Sequence, residues 1–149
     1  MKFNKYLSRI AQFACVFCLF GPLLADPPGI SENAELVSYA QDVYRQRGIN
    51  MARSAIELKV NETWGRVLFI SLVSRTTTLS DDLLQAFLVG GAVSQHAISP
   101  IDHVVVVADV EFSNRDAMVM RADGECCENL YNNRMTVDIF TRDCLRMEK

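Results

Sequence analysis

Two groups of residues in this 149-residue chain have types and spacings that could do chemistry, the histidines and the cysteines. His96, Asp102 and His103 come nearest to a catalytic cluster. An imidazole beside a carboxylate is held in one tautomer and can serve as a general base. For these three to meet, the chain must turn at Ser99-Pro100 and bring His103 to the mouth of a strand near His96. His96 also has a purely structural reading, because a positive charge is favoured at a helix C-terminus. A zinc site needs three or four N or S ligands. The adjacent pair Cys126-Cys127 lacks the CxxC spacing of metal sites and thiol oxidoreductases.

Other chemistry finds less support. There is no Gly-x-Ser-x-Gly elbow, and Ser71 and Ser74 fall in or beside an apolar run. Gly90-Gly91 lies inside a helical pattern rather than before one, so it does not make a phosphate loop. Asp81-Asp82 reads as helix-start charge, and Asp109 and Glu111 as a solvated sheet face. Asn61-Glu62-Thr63 fits the short N-glycosylation sequon, which matters only in a eukaryotic secretory pathway. No catalytic, cofactor-binding or metal-ligating residue is assigned, and no cofactor is expected.

The meaning of the cysteines depends on the compartment, and the first twenty-five residues bear on that. Lys2, Lys5 and Arg9 form a basic start, Phe13 to Phe20 an uncharged apolar run, and Pro22 breaks it before Leu23-Leu24-Ala25. That order reads as an export signal cleaved after Ala25. An uncleaved anchor is the alternative, but the apolar stretch is shorter than the roughly 20 residues of a spanning helix and contains Gln12 and Gly21-Pro22. Acylation of Cys15 or Cys18 is disfavoured because both sit inside the apolar run rather than at its end.

Cleavage removes two of the five cysteines and leaves Cys126, Cys127 and Cys144. In an oxidising compartment a disulfide is expected. Neighbouring cysteines close a strained ring, so Cys144 is expected to pair with Cys127, or with Cys126 in its place. The third thiol is expected to be buried. Cleavage also removes three positive charges and no negative ones from a chain whose net charge is already −3. The acidic remainder has no electrostatic footprint for nucleic acid or anionic lipid.

The elements that must position these residues follow from periodicity. Pro27-Pro28 reads as a linker over 26–30, and Ser31 as the cap of a helix whose stripe is Leu36, Val37, Ala40, Val43 and Tyr44. Gly48 reads as its C-terminal cap. Ile56, Leu58 and Val60 alternate with Glu57 and Lys59 as a half-exposed edge strand, which could accept a partner strand. Between Arg66 and Val73 the apolar residues Val67-Leu68-Phe69-Ile70 and Leu72-Val73, broken only by Ser71, predict a strand buried on both faces. Thr78 or Ser80 caps a second helix with an apolar stripe from Leu83 to Ala97; close packing on a sheet explains Gly90-Gly91. Val104 to Val107 with Val110 and Phe112 predict the central strand. A turn at Ser113–Asp116 returns the chain through Met118 and Met120. A helical pattern follows from Gly124, with Cys127, Leu130 and Tyr131 on one side, and Thr136 starts a last short helix through Cys144.

These elements predict an α+β fold: a small mixed sheet of about four strands with helices, in the order α-β-β-α-β-β-α. It contains one right-handed βαβ crossover and a hairpin. The domain organisation expected is signal peptide 1–25, linker 26–30 and a single domain 31–149. The function expected is an exported, non-catalytic binding or assembly domain of the periplasm, envelope or extracellular space, held by one disulfide. The alternatives are a thiol-dependent enzyme or redox protein using Cys126 or Cys127, and a secreted inhibitor or effector that docks on a protein. The expected partner is another protein, with no nucleic acid and no membrane contact once the signal is cleaved. Trp64, Met118 and Met120 are the candidate contact residues, by their aromatic and adaptable side chains.

Overall fold

The structure, a computed structural model, describes residues 30–111 and 117–148. The leader 1–25, the linker except for Ile30, Phe112 and the turn Ser113–Asp116 lie outside the described residues. Helix α1 spans Ile30–Gln46, so Ile30 belongs to the helix rather than to the linker. It is followed by a short 3₁₀ turn at Arg53–Ala55, β1 (Ile56–Asn61), β2 (Gly65–Ser74), α2 (Leu79–His96), β3 (His103–Val110) and β4 (Met118–Asp123). Then come α3 (Gly124–Tyr131), α4 (Val137–Ile139) running into a π turn at Phe140–Cys144, and β5 (Arg146–Glu148).

The strands form one mixed sheet in the order β1-β2-β3-β4-β5. β2 and β3 are parallel and joined by α2, which is the expected βαβ unit; every other neighbouring pair is antiparallel. The valine strand is central and β1 is an edge, as the sequence pattern implies. The fifth strand is an addition. Arg146-Met147-Glu148 is too short to show a period, and it becomes a strand only because β4 offers it a free edge.

The helices lie on one face of the sheet. Leu68 and Ile70 of β2 and Val104, Val106 and Ala108 of β3 join the core with Leu36, Tyr44, Phe87 and Leu130 from the helices. The sheet register puts Met118, Met120 and Ala122 on that same face. The opposite face carries Glu57, Lys59, Phe69, Val73, Val107, Val119 and Arg121, and among the described residues no helix covers it. The expectation that β2 is buried on both faces is therefore corrected. Val67 is fully buried, but Phe69 is half-buried, Ser71 is exposed and Val73 is 67 % exposed. An apolar run shows that a strand is central among its neighbours; it does not show whether a second helical layer exists to cover it.

At α1 the C-terminal cap follows sequence chemistry, whereas Ser31, expected as the N-cap, falls inside a helix that already begins at Ile30. Gly48 has φ +77°. The Gly48 N–H donates to Arg45 O and the Ile49 N–H to Tyr44 O, the paired bonds of a Schellman ending. At α2, Thr78 is the N-cap, but its hydroxyl donates to Asp82 at 2.9 Å instead of accepting from the helix. Ser74, the buried end of β2, donates to the same carboxylate, so the polar break in the apolar strand has a partner. Thr136 caps the last helix, its hydroxyl accepting from the Ile139 N–H.

The glycine pair in α2 is explained by contact. A Cβ on Gly90 would lie 2.7 Å from Val104 Cγ1, on the sheet. A Cβ on Gly91 would run into the Cys127 carbonyl and the Tyr131 side chain, on α3. Helix propensity alone predicts that Gly91→Ala stabilises by about 1 kcal/mol. The contact reverses the sign, and Gly91→Ala is expected to destabilise by about 2 kcal/mol. Denaturant unfolding of the two chains checks it; a more stable variant would show that α2 and α3 are not in backbone contact.

Candidate functional site

The proposed cluster of His96, Asp102 and His103 is not assembled. His96, at the end of α2, is exposed and stacks on Tyr39 of α1 with ring centroids 4.3 Å apart. His103 begins β3 and faces the uncovered side of the sheet. Asp102 serves the backbone: its Oδ2 accepts the Arg66 N–H at 2.7 Å, and it lies where a side chain on Gly65 would have to go. Gly65 has φ +70°, so the turn needs glycine for two reasons. The two histidines are thus on opposite sides of the sheet, each with its own neighbour.

A different polar group forms on the uncovered face. His103 Nδ1 is 3.0 Å from Asp123 Oδ1 and 3.3 Å from an Arg121 guanidinium nitrogen. These contacts require different forms of the ring, since Asp123 accepts from a protonated Nδ1 and Arg121 donates to an unprotonated one. Arg121 also pairs with Glu148 at 2.7 Å, and its guanidinium lies 5.3 Å from the centre of the Trp64 ring. Lys59 lies over Phe69 at 4.6 Å. Long cationic side chains therefore shield part of the apolar face while keeping their charge in water. Sequence reasoning missed Arg121, Asp123 and Glu148, because their meeting depends on β4–β5 register. The alternation around Met118 and Met120 did contain Arg121 on the opposite side.

Of the candidate contact residues, Trp64 is half-buried in the β1–β2 turn, on the side of Arg121. Its turn is held by Asn61, whose side-chain oxygen accepts from the Thr63 and Trp64 N–H groups. The same asparagine is the sequon residue. Met118 and Met120 point to the helix side and pack against the core. The three candidates are therefore split between the two faces, and only Trp64 lies with the open one.

The disulfide joins Cys144 to Cys126, the alternative partner, and not to Cys127. Successive residues on a helix point about 100° apart. Cys127 is turned inward against α2 and fully buried, which leaves Cys126 facing the π turn that carries Cys144. The signal for this was present: Cys127 shares a face with Leu130 and Tyr131. The leftover thiol is buried as expected, and burial, helped by the Asp123 charge, pushes its pKa up. A thiol in that setting is a poor nucleophile.

Among the described residues no group of three or more His, Cys, Asp or Glu side chains could hold a metal ion, and no helix is long and apolar enough to cross a membrane. A shallow groove of about 360 Å³ runs along α1, lined by Ala34, Glu35, Ser38, Tyr39, Asp42 and Arg53, away from the His103 group. No family model, curated protein or solved structure matches the chain.

Among the described residues, the best-enclosed ion pair is structural. Glu32 of α1 meets Arg66 of β2 at 3.1 Å, with both side chains 13 % exposed. Glu32 also accepts from the Ile98 and Ser99 N–H groups, and Arg66 donates to Ser99 O and to Asn33. The Ser99 N–H first, then the Ile98 N–H and the Arg66 charge, hold the Glu32 carboxyl below its usual range against the opposing effect of burial. A depressed carboxyl contributes stability above its unfolded-state pKa and loses it as pH falls through the folded value. Glu32→Gln is expected to cost about 2 kcal/mol at neutral pH. That difference should shrink toward zero as pH falls through the acid range. Unfolding curves over pH check it, and a difference independent of pH would mean that the charge of Glu32 is immaterial.

Proposed function

We propose that this chain is an exported binding or assembly domain that works by contact rather than catalysis. The observation that carries the reading is the sheet face where Trp64, Phe69, Val73, Val107 and Val119 stand among charged side chains and, among the described residues, no helix covers them. An apolar patch rimmed by charge is the usual mark of a protein contact. The basic-apolar-small order of residues 1–25 and the Cys126–Cys144 bond support export into an oxidising compartment. The alternative of thiol chemistry loses Cys126 to the bond and is left with Cys127, buried and raised in pKa.

Mass analysis of the chain recovered from an exporting cell is expected to give a product beginning at Asp26, with one disulfide and one thiol. That thiol is expected to react at least ~100-fold more slowly with an alkylating reagent in the native protein than in denaturant. A retained leader would overturn export. A thiol that reacts at full rate in the native protein would overturn the contact reading in favour of the thiol enzyme.

A further inference from the structure

We propose that the chain forms a two-fold dimer by antiparallel pairing of β1 with β1 of a second copy, centred on Leu58. Among the described residues β1 pairs with no strand but β2, so its other edge has no strand partner, the standard template for strand addition. A charged edge strand usually discourages such pairing. Here the charges are self-complementary. A two-fold axis through Leu58 sets Glu57 of each copy opposite Lys59 of the other, on the uncovered face. On the helix side it sets Val60, 78 % exposed, opposite Ile56 of the other copy.

The same charges exclude neighbouring registers. Centring the pairing on residue 57 sets glutamate against glutamate, and centring it on residue 59 sets lysine against lysine. Like charges directly opposite are destabilising, while opposite charges there stabilise. Forming the dimer sacrifices little, because the Lys59–Glu57 pair within one chain, at 3.0 Å, is exposed on both sides. Asn33 reaches the Leu58 carbonyl from α1 only at 3.5 Å, the outer limit of a hydrogen bond, so that carbonyl remains open to a better donor. The contact is isologous, and it joins two five-stranded sheets into one of ten strands. It uses the β1 edge of the sheet and leaves the apolar residues of the open face uncovered, and it is independent of export.

Sedimentation of the protein recovered from cells is expected to show a concentration-dependent dimer. Glu57→Lys and Lys59→Glu are each expected to weaken it by at least about tenfold. An equal mixture of those two variants is expected to restore association as a heterodimer, since each chain then supplies the charges the other lacks. The double variant Glu57→Lys/Lys59→Glu is expected to self-associate like the parent, which separates lost pairing from lost folding. A monomer at about 1 mM, a dimer indifferent to both single substitutions, or a mixture no tighter than either variant alone would each overturn the proposal. A processed but monomeric chain would overturn the dimer and leave the export reading standing. A dimer with its leader retained would do the reverse.

Discussion

The close seating of α2 is the constraint on which the remaining architecture depends. α2 links the two parallel strands, so it must lie across them, and it must also receive α3 on its flank. Both approaches are made at the glycine pair: Gly90 admits Val104 from the sheet, and Gly91 admits the Cys127 backbone and Tyr131 from α3. With α3 held there, Cys127 is driven into the core and Cys126 is turned outward to the π turn. The disulfide then ties the last turn of the chain to α3, and β5 can reach the free edge of β4. A small gap between two helices thus settles which cysteine is bonded, which is spare, and how the C-terminal residues join the sheet.

One-sided covering has the next largest consequence. The described helices lie on a single face, and among the described residues the other face is shielded by its own side chains. Lys59 over Phe69 and Arg121 over Trp64 achieve this in part. Around Arg121 a small network of His103, Asp123 and Glu148 forms. On the helix side of the sheet, Glu32 and Arg66 clamp α1 to the start of β2 and to the Ile98–Ser99 loop. That clamp is enclosed and well satisfied, as structural ion pairs must be. The open-face group is more exposed and has competing partners for one ring nitrogen, which suits a surface that makes contacts.

Most of the secondary structure was legible because periodicity and caps are local. The stripe from Leu36 to Tyr44, the alternation at Ile56 to Val60, the four valines and the Thr136 cap all appear where their patterns place them. Gly90-Gly91 was legible as a close approach, though not as two approaches to different neighbours. The misreadings share one cause. The apolar run of β2 reads as buried on both faces, the choice between Cys127 and Cys126 as the bonded cysteine stays open, and Met118 and Met120 stand beside Trp64 as contact candidates. Each of these needs knowledge of which face meets which element. β5 and the Arg121 network went unseen because three residues carry no period and register is not written in either strand alone.

The order of residues settles what is local: where helices begin and stop, which strands alternate, that the chain is acidic, and that three cysteines follow the leader-like segment. It also places glutamate and lysine two apart on an edge strand, a pattern complete in the sequence itself. Facing and partnership are decided elsewhere. That Cys126 bonds and Cys127 does not, that His96 and His103 lie on opposite sides, and that the described helices all cover one face of the sheet depend on how helices stack on strands. The physical reason is range. Propensity, capping and period act over a few residues, whereas contact between distant segments is selected by close packing of the whole core, where a single Cβ at Gly91 would move α3.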